Sequence, residues 1–339
     1  MPIFLQTARD DNGRRLDRIL RKFLQRALPE LPLSAIHRML RKGRVLVDGI
    51  PAGAGYRIKA GQRIEIQNIS VKDGMDEIIP PDRRQPAPKA GCINTAPSLD
   101  ILYEGESLLI LNKPSGIAVH GRGSLEELVL PYLGRSLPSS ASFRPGPLHR
   151  LDKPTSGVIV FSKSLEGAQR FSSLLRQRLI YKSYLAIVDG EIKKNETWED
   201  VLIRDRDARK TSVLQEPRKN TTAKSAAASA SIEGAKTAQS MVTPLAVQKK
   251  QSLILVEIKT GRTHQIRAQA AARGMPLSGD KKYGGRPTGK NQSGFFLHAL
   301  SLEFAAADGK TFTVKAPLPD KFRRIIHSVF GADVLQALQ

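Results

Sequence analysis

The nine residues His149-Arg150-Leu151-Asp152-Lys153-Pro154-Thr155-Ser156-Gly157 run straight into the apolar Val158-Ile159-Val160-Phe161, and no other stretch restricts the fold as much. Pro154 and Gly157 call for a turn, and the continuous apolar run that follows reads as a strand. A carboxylate set between an arginine and such a turn is held rigid, partly buried and ionised. The sequence offers no metal-ligand cluster, no phosphate loop and no reactive cysteine context. An enzymatic reading therefore places most of the chemistry on an aspartate.

The 54 Lys+Arg against 32 Asp+Glu give a net charge of +22, which points to a polyanionic partner because neutralising phosphates releases counterions. Residues 1–72 alone hold 15 Lys/Arg and 6 Asp/Glu. There, Leu16, Ile19, Leu20, Phe23 and Leu24 recur at helical spacing, with Arg14, Arg18, Arg21 and Lys22 on other faces. A second short helix is expected after Ser34 as its N-cap, with Ile36, Met39 and Leu40 inward and Gly43 as its stop. His37, Arg38, Arg41 and Lys42 are left outward. Strands at Arg44–Val47 and around Ile64 and Ile66 complete a compact basic module, whose one-signed charge favours RNA or DNA backbone contact.

Residues 73–99 carry many prolines and little apolar periodicity, and are expected to be a linker. A second domain is expected over 100–330, with a polar, Ala/Ser/Lys-rich surface insertion at 206–240. Its strands (Leu108–Leu111, 158–162, 184–188, 252–259) outnumber its helices (about 165–178 and 263–273). The fold class expected is α+β with a mixed, largely antiparallel sheet. A lone cysteine, Cys92, rules out an internal disulfide framework. With no signal-peptide core and no membrane-length apolar run, the expectation is a soluble, cytoplasmic protein with no membrane partner.

Three segments place polar residues beside an apolar strand or helix, where they can project into a cleft: His149–Gly157, Tyr181–Tyr184 and Gly261–Arg267. Together with Leu111-Asn112-Lys113-Pro114-Ser115-Gly116 and Val119-His120-Gly121, they resemble, in order, the motifs of the RluA family of pseudouridine synthases. The likeness is strongest to the RluC/RluD branch that acts on large-subunit ribosomal RNA, and it spans nearly the whole chain. Residues Gly13 to Gln67 resemble the small alpha-L RNA-binding domain of ribosomal S-four proteins.

The resemblance implies a nucleophile at Asp152, an active-site tyrosine at Tyr184 and an arginine paired with the aspartate at Arg267. It implies that Arg150 fills the space left by a flipped base. His149, Arg262 and Ile266 would complete the substrate pocket, and Arg18, Arg38, Arg41 and Lys42 would contact RNA. Isomerising uridine breaks N1–C1′, turns the uracil and joins C5 to C1′. A carboxylate can attack C1′, or take the 2′ proton en route to a glycal, with no metal or other cofactor. Tyr184 would stack on the uracil and help remove the C5 proton, and the target must leave its stack to react. Ribosomal RNA is the expected partner and a monomer the expected state.

The chain departs from the pattern at Ala268-Gln269-Ala270-Ala271, where relatives often carry a Val-His pair, and in the length of the 206–240 insertion. Within the resemblance the RluC-like choice, several sites in the large-subunit RNA, is preferred, and beside it stand an RluD-like synthase, a transfer-RNA-directed synthase and a non-catalytic RNA-binding assembly factor. An aspartate-based glycosidic hydrolase would need a second carboxylate, for which Asp280 is the candidate, although its spacing suits a loop equally well.

Overall fold

The computed structural model describes residues 2–27, 31–67, 99–136, 143–205, 207–208, 210–214, 234–288, 294–305 and 309–338. The chain gathers into two compact units. One comprises Met1–Ser98, Val129–Gly146 and Ser162–Ala168, and the other Leu99–Leu128, Pro147–Phe161 and Gln169–Gln339. The expected linker lies outside the described residues apart from Leu99.

The N-terminal part follows its hydrophobic spacing. β1 (Ile3–Gln6) precedes α1 (Leu16–Ala27) and α2 (Leu33–Arg41), and β2 (Val45–Val47), β3 (Ile50–Pro51) and β4 (Arg63–Ile66) follow. The strands form a four-stranded sheet in the order β1-β4-β2-β3. Leu16, Ile19, Leu20 and Leu24 from α1 meet Ile36, Met39 and Leu40 from α2 over Val45, Ile64 and Ile66. That leaves Arg18, Arg38, Arg41 and Lys42 exposed. The N-cap of α2 is Pro32, not Ser34: Pro32 is extended (φ −71, ψ 149) and makes no side-chain cap. Its carbonyl accepts from Ala35 N–H at 3.0 Å, so the helix begins one residue before the serine that the capping preference favoured. Gly43 closes it in the left-handed region (φ +66).

The rest of the chain runs β5 (Ile101–Glu104), β6 (Leu108–Lys113), α3 (Leu125–Ser136), β7 (Gly146–Pro147), β8 (Ser156–Ser162), α4 (Leu165–Arg176) and β9 (Ile180–Val188). It continues through β10 (Glu196–Asp205), β11 (Lys210–Val213), β12 (Lys236–Gln248), β13 (Gln251–Ile258) and α5 (Gln265–Ala272). The last elements are β14 (Leu297–Ala305), β15 (Thr311–Lys315), α6 (Asp320–Phe330) and α7 (Ala332–Gln336).

One 11-stranded sheet takes the order β11-β10-β12-β13-β9-β14-β8-β6-β5, with β15 beside β14 and β7 beside β8. β14 runs parallel to β8 and antiparallel to β9, so the sheet is mixed and largely antiparallel, as the strand-rich pattern predicts. The ends of the 206–240 stretch are strand: β11 pairs with β10, and β12 begins at Lys236. Residues 215–233 lie outside the described residues.

β8 is buried at every position, which explains why its sequence is apolar without alternation. Gly157 opens it at φ +108, where a Cβ would run into the Ala299 carbonyl of the parallel neighbour. On α6, Phe322, Ile326 and Phe330 pack with Leu185, Ile187, Leu253 and Phe296, covering the centre of the sheet. No described helix is long and apolar enough to cross a membrane.

Candidate active site

Asp152 sits in the turn that delivers the chain into β8, closed by Thr155 N–H donating to the Asp152 carbonyl at 3.0 Å. A second turn, after β6, is bound to it. Gly116 N–H donates to the Lys153 carbonyl (2.9 Å) and Ser115 Oγ to the Pro154 carbonyl (2.7 Å). The fully buried Lys113 binds both turns through Nζ, which donates to the carbonyls of Pro114 (2.9 Å), Ile117 (2.8 Å) and Lys153 (3.2 Å). Burial pushes the Lys113 amine down to about 8, against the pull of the Asp152 charge.

The loop 261–264 feeds α5 and is fixed by Gln265. Its Oε1 accepts from Thr260 Oγ1 (2.8 Å) and Arg262 N–H (3.1 Å), while its Nε2 donates to the Gln239 carbonyl (3.1 Å). One turn into the helix, Arg267 faces two carboxylates. Its Nη1 donates to Asp152 Oδ2 at 2.9 Å, and Nε and Nη2 form a two-pronged bond to Asp280 at 2.7 and 2.9 Å. The guanidinium lies 4.8 Å from the Tyr283 ring centre and 4.4 Å from that of Phe295. Burial works against its charge, but the Asp280 and Asp152 carboxylates outweigh it, so Arg267 holds its proton more firmly than usual.

Tyr184, 8% exposed, reaches the same cleft from β9. Burial first, then the Asp152 charge, push its hydroxyl above the usual tyrosine range, so it stays a neutral phenol. His149 accepts Val160 N–H at Nε2 (3.1 Å) and stacks on Phe171; burial, and then the Lys182 charge, push it down to about 3, so the ring is neutral. His264 holds a left-handed N-cap (φ 54) with Nε2 3.8 Å from Asp152 Oδ2 and Nδ1 3.0 Å from the Tyr283 hydroxyl. That hydroxyl donates to the Thr211 carbonyl and accepts its N–H, each at 2.9 Å.

A cleft of about 510 Å³ joins these pieces. It brings together all seven catalytic-domain residues expected from the sequence: His149, Arg150, Asp152, Tyr184, Arg262, Ile266 and Arg267. Spacing in the sequence gives Asp280 nothing beyond a loop role or a hydrolase partner, and it does not single out Tyr283 or Phe295 for the site. The structure puts all three around Arg267. The one sequence signal for Asp280 and Tyr283 is the turn Gly279-Asp280-Lys281-Lys282-Tyr283-Gly284, whose two glycines both take positive φ. Among the described residues, no group of three His, Cys, Asp or Glu gathers to hold a metal ion.

This architecture is that of an RNA pseudouridylate synthase. The RNA pseudouridylate synthase family model matches residues 107–272, and an S4 domain model matches residues 14–64. The fold is shared with solved structures of human RNA pseudouridylate synthase domain containing 4 (TM-score 0.55, 23% identity, 67% of this chain and 92% of that one). It is shared equally with human RNA pseudouridylate synthase domain containing 1 (TM-score 0.55, 22% identity, 73% and 97%).

The chain belongs to this family. It is 31% identical to ribosomal large subunit pseudouridine synthase C of Escherichia coli O157:H7 over 336 residues, 95% of each chain. It is 30% identical to the protein of that name from Salmonella typhimurium over 96% of each. It is therefore a pseudouridine synthase with an N-terminal S4 RNA-binding domain.

Proposed function

We propose that the chain isomerises uridines of large-subunit ribosomal RNA to pseudouridine, with Asp152 as the attacking group. One observation carries the mechanism: Asp152 lies in an otherwise cationic cleft with one oxygen bonded to Arg267 at 2.9 Å and Tyr184 lining the same space. Asp152 attacks C1′ or takes the 2′ proton, and both routes start from the same ionised carboxylate. Arg267, held by Asp280, keeps that carboxylate aimed.

A neutral Tyr184 stacks on the uracil better than it removes a proton as phenolate, so its contribution is to hold the base while it turns. Arg150, exposed at the cleft next to Asp152, enters the stack from which the uridine is flipped. The exposed Arg18, Arg38, Arg41 and Lys42 supply phosphate contacts from the S4 domain. The names of the relatives over nearly the whole chain support the large-subunit target.

The test is pseudouridine mapping of large-subunit ribosomal RNA from cells lacking the protein, complemented with wild type or Asp152→Asn. Uridines that lose modification in the deletion and regain it only with wild type are the expected result. If no ribosomal position changes, the target assignment is wrong. If Asp152→Asn restores modification, the nucleophile assignment is wrong.

A further inference from the structure

β9 carries Lys182 and Tyr184 two residues apart, hence on one face of the sheet, and both line the cleft. Ser183, between them, points the other way and bonds Ser301 Oγ at 2.6 Å. Across the strands, Lys182 is in register with Ile258 on β13 and Leu302 on β14. These side chains offer an ammonium no acceptor. Gly261 leaves room for it: a Cβ built there would stand 3.2 Å from Lys182 Nζ.

Among the described residues, Lys182 has no hydrogen bond or ion pair. Among the described residues, Asp152 is the one carboxylate lining the cleft, and it is already bonded to Arg267. Burial lowers the proton affinity of Lys182, so its charge stands desolvated and uncompensated. Arg150, Arg176, Arg178 and Arg262 surround the same space. A partly buried cation of this kind is stabilised only by an anion brought in from outside.

We propose that Lys182 binds a backbone phosphate of the RNA next to the target nucleotide, fixing the sugar while the base turns against Tyr184. The inference rests on reading the cleft as the RNA site. A uracil carbonyl is the other acceptor within reach of this face, but it supplies only partial charge against a full ammonium. The two differ in their dependence on salt, because only a phosphate contact releases a counterion.

The experiment is equilibrium binding of an in vitro transcript of large-subunit ribosomal RNA across a KCl series, for wild type, Lys182→Met and Lys182→Arg. Loss of one phosphate contact makes the log–log salt slope shallower by roughly 0.7–0.9. Lys182→Met is expected to show that change with about tenfold weaker binding, as for one charge-assisted bond, and Lys182→Arg to restore the slope. Equal slopes for wild type and Lys182→Met overturn the proposal in favour of a carbonyl contact or none.

A second arm uses wild-type protein alone, so it stands even if the methionine variant fails to fold. Replacing the phosphates flanking a modified uridine with neutral methylphosphonates must weaken binding at one of the two positions, and unchanged binding at both overturns the proposal. If wild type isomerises uridines in the transcript while the slopes coincide, the Lys182 inference fails alone. If the slopes differ but no uridine is converted, the ribosomal target fails and the phosphate contact stands.

Discussion

The S4 domain and the catalytic cleft are both rich in positive charge, and they handle it in opposite ways. In the S4 domain the interior is aliphatic, and Arg18, Arg38, Arg41 and Lys42 stay on the surface, in water. In the cleft, Arg267 is buried and committed to two carboxylates and two aromatic rings. Surface cations act as a sum, so each is replaceable. Buried ones act as parts of a mechanism, and removing a partner strands a charge.

The sharpest way to break this contrast is Asp280→Ala. It leaves the Nε and Nη2 of Arg267 unbonded in a buried site, which typically costs about 3–5 kcal/mol. Thermal unfolding is expected to show that loss, and turnover assays a collapse of isomerisation. A midpoint within a degree of wild type would mean that the pair does not hold the cleft together.

Acid is the next lever. Burial and Lys182 push His149 down to about 3 from the ordinary 6.5, and burial pushes His298 down to about 4. Between those values and 6.5 the unfolded chain binds protons that the fold refuses, so stability falls as pH drops through that window. His149→Gln keeps an acceptor for Val160 N–H without titrating. Its unfolding midpoint should fall less than that of wild type between about pH 6.5 and about pH 4. An identical fall in both would remove His149 as a source of acid sensitivity.

Replacing Arg38, Arg41 and Lys42 together by Gln should leave the unfolding midpoint nearly unchanged, since exposed substitutions usually move stability by under about 0.5 kcal/mol. RNA affinity should fall and its salt slope flatten by about two, which filter binding across a salt series reads directly. An unchanged slope would mean that the S4 domain does not anchor the RNA. Ser34→Ala should do least. A lost N-cap costs about 1 kcal/mol, but Ser34 lies inside α2, and a denaturant midpoint indistinguishable from wild type is expected.

The same contrast explains what could be read before the structure. The amphipathic spacing of α1 and α2 is local, so their inner faces were legible. That Asp152, Tyr184 and Arg267 share one cleft was legible because each lies in a short contiguous motif. Asp280, Tyr283 and Phe295 were not, because their part in the site exists only once a loop beyond α5 folds back over Arg267. Lys113 was legible as part of a turn. Its burial and its bond to a carbonyl 40 residues further along the chain were not. The helix α6 went unread although Phe322, Ile326 and Phe330 repeat every fourth residue, a pattern too short to stand out after so many strands. The capping preference failed at Ser34 because the preceding proline had already started the turn.

The junction at Lys113 has a consequence for how the chain tolerates change. The aspartate's position is indexed to the end of β6 by three donors, one of them a buried ammonium. The residues between the two turns are thus a detour that leaves from and returns to a single anchored point. Length added or removed along that detour ahead of β7 should be absorbed where it occurs, and the address of the Asp152 carboxylate stays the same.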